Sequence, residues 1–332
     1  MFVACSLLFF IAGYQYAAKL TTLPDIYKPV QMAIVENKLY ISDQNSVSVY
    51  SMDDFKLERK IGGKGEGPGE FQWPPWMNIL PKEILIYTSH KFSVFKKNGT
   101  LIKEKKIGVN MLSYIHPAGD NYIVDIITVD EKGLLTKEIN IVDKDLDKIH
   151  SLYSRPRNHE RSGGKRIMRF INPRVSFQCL GDKIFLANGY KGFVIEIFDL
   201  DGNPIGTINR SFTKVKVPGP YKAKWENDFL KKYSADHRKR IAKVFRFEYP
   251  EYFPPIQKFE IAGEKLYIKT FRTKNSNAEY IILDTGGNLL DKVFLPETQY
   301  GLQAFHGNKF YYLKDNEEEE EWELHCLDIQ TP

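Results

Sequence analysis

Residues 181–203, GDKIFLANGYKGFVIEIFDLDGN, contain the unit from which the fold can be read. Gly181-Asp182-Lys183 opens it, and glycine beside Asp supplies the positive φ of a tight hairpin tip. Residues 184–188 (IFLAN) are apolar and strand-favouring, as a buried pleated surface requires. A second such run, 194–198 (VIEIF), follows, and Asp201-Gly202-Asn203 turns the chain again.

The same unit recurs along the chain. Runs of the first kind stand at 39–43 (LYISD), 84–88 (ILIYT), 122–126 (YIVDI), 266–270 (LYIKT) and 310–314 (FYYLK). Three of these are introduced by Gly119-Asp120-Asn121, Gly263-Glu264-Lys265 and Gly307-Asn308-Lys309. The partner runs are 47–50, 92–95, 139–142, 280–283 and 322–327, with further turns at Lys97-Asn98-Gly99-Thr100 and Thr285-Gly286-Gly287-Asn288. Six units result, starting 45, 38, 62, 82 and 44 residues apart. A propeller blade of four short strands takes about 40–50 residues. The spacing therefore predicts an all-β, six-bladed β-propeller with insertions at the two long intervals. A sandwich is disfavoured by six equivalent hairpins, and an α/β fold by the lack of strand–helix alternation.

The shorter insertion falls around residues 155–169 (RPRNHERSGGKRIMR) and the longer around 214–254. Within the longer one, 221–245 lack β alternation, while Trp225, Phe229 and Tyr233 recur every four residues, which predicts an amphipathic helix. Pro218 and Pro220 precede it, and Pro250, Pro254 and Pro255 follow. The last unit reaches Pro332 with only three strands. Residues 19–26 are expected to supply its fourth, closing the ring and removing an exposed sheet edge.

Composition agrees. The 332 residues are 42% hydrophobic and 27% charged, as in a globular chain, and the 14% aromatic content suits strands. A net charge of +5 is mild for this size and speaks for solubility rather than a nucleic-acid partner. Cys5, Cys179 and Cys326 show no zinc-ligand spacing. Cys179 and Cys326 read as buried thiols, with a disulfide between them as the alternative in an oxidising compartment.

Residues 2–13 (FVACSLLFFIAG) are an apolar run of 12, too short for a bilayer, which needs about 20, and of the length of a secretory signal's core. Residues 1–18 are therefore expected to be a signal peptide or N-terminal membrane segment, and 19–332 the propeller, with an extracytoplasmic address: periplasmic, secreted or membrane-anchored. No Lys or Arg precedes the run, and Gln15 stands where a small residue is usual before Ala17. Phe2-Val3-Ala4-Cys5 also resembles a lipoprotein processing box, and a buried N-terminal segment is the remaining reading.

Ile61-Gly62-Gly63-Lys64-Gly65-Glu66-Gly67-Pro68-Gly69-Glu70-Phe71 resembles the inter-blade link of NHL-type propellers, and more closely that of bacterial six-bladed β-propeller proteins, many of them exported or lipid-anchored. The link occurs clearly once, and the other blades match by turn-and-strand pattern. The resemblance implies architecture and address and brings no mechanism. Physically, the glycines let the chain leave an outer strand and cross to the next inner one. A phosphate loop is excluded, because no GxxxxGK[ST] is present and Trp73-Pro74-Pro75-Trp76 follows where a helix would have to start.

Trp73 and Trp76, with Phe71, are candidates for stacking on a ligand or for wedging between blades. Arg155, Arg157, Arg161, Lys165, Arg166 and Arg169 in one insertion, and Lys222, Lys224, Lys231, Lys232, Arg238, Lys239, Arg240 and Lys243 in the other, would form a basic rim for an acidic glycan or phospholipid surface if both project from one face. Solvated loop charge is the plainer reading. The acidic run 317–321 lacks the spacing and glycine of a Ca²⁺ loop and reads as a solvated hairpin tip. Of the seven histidines, His116 and His306 fall in strands that could line a central channel. No nucleophile or HExxH motif appears.

The expected function is extracytoplasmic binding or scaffolding, with a protein or glycan ligand on the insertion-bearing face, no nucleic acid, and membrane contact only through an uncleaved N-terminal anchor. Trp73, Trp76, Arg161, Lys165, Arg166 and Arg169 are the candidate ligand residues; no catalytic or metal-ligating residue and no cofactor is assigned. The alternatives are a propeller lyase or hydrolase acting on an extracellular polymer through channel histidines or carboxylates, and a structural subunit of an envelope complex.

Overall fold

The computed structural model describes residues 17–107, 110–157, 161–299 and 301–329. Six four-stranded antiparallel sheets follow one another. Blade 1 is Pro29–Val35, Lys38–Asp43, Ser46–Ser51 and Leu57–Gly62; blade 2 is Trp76–Ile79, Glu83–Tyr87, Lys91–Lys96 and Leu101–Lys106. Blade 3 is Met111–Ala118, Asn121–Val129, Leu135–Val142 and Lys148–Pro156; blade 4 is Val175–Leu180, Lys183–Asn188, Val194–Asp199 and Pro204–Asn209. Blade 5 is Lys258–Ala262, Lys265–Lys274, Asn277–Asp284 and Leu289–Pro296. Blade 6 takes Gln303–His306, Lys309–Asn316 and Glu321–Asp328 from one end of the chain and Ala18–Leu23 from the other. That last pairing, antiparallel with Leu23 opposite Trp322 and Ala18 opposite Cys326, is the expected closure.

The core lies between blades rather than within any one of them. Six buried clusters each draw on two consecutive sheets and so complete the ring. Between blades 5 and 6, for example, Tyr267 and Phe305 stack with ring centres 3.9 Å apart. The first strands of successive blades also meet around the axis. There the Gln31 amide accepts from the Met77 N–H (2.9 Å) and donates to its carbonyl (3.0 Å), and Asn78 donates to the Ile115 carbonyl (3.2 Å).

The runs legible in the sequence are the second and third strands. Flanked by strands on both sides and covered on both faces, they read as short apolar runs: Ile84, Ile86 and Phe92 are fully buried. The first strand of each blade lies ahead of the unit as read. Fourth strands are exposed at the rim, as in Leu57–Gly62, and carry a weaker apolar pattern.

Two expectations are refined. The helical insertion is two helices, α1 (Gly219–Lys231) and α2 (Ala235–Val244), because Ser234 caps the second by accepting from the His237 N–H. Arg155 and Pro156 still belong to the fourth strand of blade 3, so the shorter insertion begins after them. Of the expected leader, residues 1–16, including Cys5, lie outside the described residues, as does His159.

Candidate functional site

In an antiparallel four-stranded blade, the link to the next blade emerges on the same face as the turn between the second and third strands. Both insertions, the Gly-rich link and the acidic turn at 317–320 are connections of these kinds and therefore share one face.

The Gly-rich link is a packed structural element. Phe71 is 1% exposed and wedges among Val47, Ile61, Met77 and Phe95 of blades 1 and 2. Gly62 has φ +88°, and a Cβ there would stand 2.9 Å from the Phe71 ring. Several backbone amides of the loop are already used: Gly67 N–H donates to Glu70, Gly69 N–H to Glu104 (2.9 Å) and Phe71 N–H to the Gly63 carbonyl. Burial works against charge on Glu104, yet the Gly69 N–H, the Ser93 hydroxyl and Lys91 hold its carboxyl below the usual range. Neither candidate tryptophan is the wedge. Trp73 is 72% exposed, and Trp76 leans on Tyr87 with ring centres 6.2 Å apart.

The two long insertions join into a single module. Lys165–Arg169, the second strand of a hairpin that starts at Arg161–Ser162, pairs in parallel with Phe245–Glu248, which follows α2. Phe170 then sits among Trp225, Phe229, Phe247 and Tyr249, with ring centres 5.4–6.1 Å away. Ile171, Val217 and Phe253, with Phe271 of blade 5 stacked on Phe253 at 4.4 Å, anchor the module to the ring. Above that anchor neither helix buries a single residue.

The candidate cations have different surroundings. Lys165 donates to the Ala242 carbonyl near the end of α2 (2.7 Å), and Arg169 pairs with Glu248 (3.0 Å), so both hold the module together. Arg161 and Arg166 face each other across the short hairpin and are exposed. Residues 155–169 hold six Lys and Arg against one Glu, and residues 214–254 hold eleven against five acids. With the chain at +5 overall, everything outside the two insertions is net negative.

Several cations lie over rings on this side: Arg155 over Tyr190 at 3.6 Å, Arg272 over Phe212 at 4.6 Å, Lys214 over Tyr252 at 5.3 Å and Lys222 over Tyr249 at 5.8 Å. Burial raises the Asp125 carboxyl above its usual range, opposed by Lys137 at 2.9 Å and by the charge of Arg157. Burial raises the Tyr249 phenol, and the Glu251 carboxylate raises that of Tyr252.

Tyr190, Phe170, Phe247 and Tyr252 were not legible as site residues. Tyr190 comes from the turn between the second and third strands of blade 4, and only the ring brings it to Arg155. The alternation of Phe245, Phe247 and Tyr249 does carry a strand signal, which the helical reading of the preceding segment obscured.

The channel histidines stand apart. His116 and His306 belong to blades 3 and 6, three positions apart in a ring of six. His116 bonds through Nδ1 to the Pro117 carbonyl (2.6 Å), and burial lowers its pKa; His306 is exposed at a hairpin end. Among the described residues no three His, Cys, Asp or Glu are placed to hold a metal. Cys179 and Cys326, on blades 4 and 6, form no disulfide. Burial pushes the Cys179 thiol up to about 12. A cavity of 160 Å³ lies at blade 3, its wall mostly aliphatic, with Glu138, Asn140 and Lys148 lining one part.

A closed ring of six sheets, with one face built up by a composite cationic module, defines a six-bladed β-propeller. The chain belongs to the DUF5128 family, described as a 6-bladed beta-propeller, which matches residues 24–208. The match ends within the fourth strand of blade 4, ahead of the helical insertion. A search of curated proteins gives no match. Among solved structures the chain is similar to the AfRom2 CNH domain, at 13% identity and TM-score 0.41 over 92% of this chain and 82% of that one. It is also similar to Kluyveromyces lactis Hsv2, at 10% identity and TM-score 0.41 over 92% of this chain and 100% of that one.

Proposed function

We propose that this chain is an extracytoplasmic binding or scaffolding propeller of NHL-like type whose ligand surface is the insertion-bearing face. One observation carries the reading. A link between blades needs few residues: 107–110 join blades 2 and 3, and 297–302 join blades 5 and 6. The link from blade 4 to blade 5 runs from 210 to 257 and spends its two helices on a module with no buried helical residue. Such a module contributes little to blade packing, and an outward role accounts for it. The apolar run at residues 2–13 supports the address outside the cytoplasm.

The test is a thermal-shift screen of the protein against acidic and neutral glycan fragments, acidic peptides, and divalent metals with and without chelator. A ligand at 100 times its Kd stabilises by about 2.7 kcal/mol. The expected result is a shift that disappears when Arg161, Arg166, Lys224 and Lys232 are changed to Gln. A shift untouched by these changes moves the ligand surface elsewhere. A metal-dependent shift reversed by chelator would favour the lyase or hydrolase reading instead.

A further inference from the structure

We infer that the ligand class of this face is an acidic polysaccharide, one bearing uronate groups, laid across blades 3 to 5; this rests on the reading of that face as the binding surface. The argument begins with the interleaving of rings and cations. Tyr190 (45% exposed), Trp225 (43%), Tyr233 (38%) and Tyr252 (38%) all present ring surface on this side. Each lies among Arg or Lys: Arg155 on Tyr190, Lys214 on Tyr252, and Lys222, Lys224, Lys231 and Lys232 along the α1 segment that carries Trp225 and ends at Tyr233. Flat rings offer stacking surface to the C–H faces of sugars, and flanking cations pair with acid groups repeated along a chain.

The rings are held for this use. Tyr221 and Trp225 pair at one end of α1 and Phe229 and Tyr233 at the other, and Phe170 bridges the two pairs by packing on Trp225 and Phe229, with Phe247 beside Phe229. Fixed rings lose little side-chain freedom on binding. A lipid surface is the weaker fit. α2, ADHRKRIAKV, is polar nearly all round and carries no aromatic residue, whereas an interfacial membrane helix needs a bulky apolar face. The acidic turn at 317–320, on the same face at blade 6, would repel a polyanion and confine it to the basic half.

The experiment is calorimetric titration of the full chain with oligogalacturonate, its methyl ester of equal length, oligoglutamate, and phosphatidylglycerol vesicles. Binding to oligogalacturonate alone is expected, weakening with salt. Changing Arg161, Arg166, Lys224 and Lys232 together to Gln should weaken it about thirtyfold. Tyr190→Leu with Tyr252→Leu should weaken it about fivefold and leave the salt dependence unchanged. Unchanged thermal midpoints would show that both variants are folded. Absence of oligogalacturonate binding, or equal binding of the ester, oligoglutamate or vesicles, overturns the polysaccharide assignment while leaving the surface reading in place. Binding that survives the four-cation change overturns both.

Discussion

The links from blade 1 to blade 2 and from blade 4 to blade 5 make the same crossing, from an outer strand to the next inner one, and use opposite means. The first is short and closed: Phe71 is buried between blades, and carboxylates and carbonyls of the protein take up several of the loop's amides. The second is long and open, anchored at Val217 and Phe253 and otherwise spread toward solvent as two helices in which no residue is fully buried. A connection that only has to connect is absorbed into the core. One left uncovered, cationic and ring-lined is free to meet something else.

The comparison would be broken most directly at Phe71. Phe71→Ala should cost about 3–5 kcal/mol, read as a fall in the denaturation midpoint without loss of slope. Its exposed neighbour Trp73→Ala should stay within about 0.5 kcal/mol. Similar small losses at both positions would mean that the link is not wedged as described. Gly62→Ala comes next, at about 2 kcal/mol, since it combines a φ of +88° with a Cβ pressed on the Phe71 ring. Gly164→Ala in the open module has a positive φ (+76°) but no neighbour within 4 Å, so it should cost about 1 kcal/mol.

The closing seam sharpens the contrast with a charge. Glu323 accepts from Lys19 of the N-terminal strand (2.7 Å), from His325 (2.8 Å) and from Asn316 (3.0 Å). The Lys19 and His325 bonds lead in holding its carboxyl near about 2, below the ordinary 4.5. A depressed carboxylate stabilises the fold above its unfolded pKa and loses that contribution as pH falls toward its folded one. Stability should therefore fall between about pH 4.5 and 2. Glu323→Gln should remove about 1.5 kcal/mol at neutral pH and flatten that part of the profile. A variant with an unchanged acid profile would show that the seam does not depend on this carboxylate. The smallest effect is expected in the module, where Trp225→Leu should change global stability by less than about 1 kcal/mol. A loss several times larger would show that the helices are part of the core after all.

The legibility of these regions differs for physical reasons. Gly181-Asp182-Lys183 and Asp201-Gly202-Asn203 mark hairpins because a tight turn makes local demands on φ and on side-chain acceptors; Asp199 meets them by accepting from the Asp201 and Asn203 amides. The first strands escaped the repeat as it was read. At Trp76–Ile79 only four residues pair, and polar Asn78 serves as an inter-blade bond, which breaks the apolar pattern. Among the candidate ligand residues, Lys165 and Arg169 turn out to be braces of the module, while Arg161 and Arg166 are exposed. Type and spacing alone do not separate these roles.

What the amino-acid order determined by itself was the number of blades, the place of both insertions and the need for a strand from the other terminus. Each of these follows from local turn chemistry, strand alternation and counting. Only the tertiary structure decided that the insertions are one object. The pairing of Arg166 with Phe245 and the seating of Phe170 among Trp225, Phe247 and Tyr249 join residues far apart in the chain. No local pattern encodes such a contact. It exists because blades 3, 4 and 5 hold the two connections side by side on one face, where their apolar sides have each other to bury against.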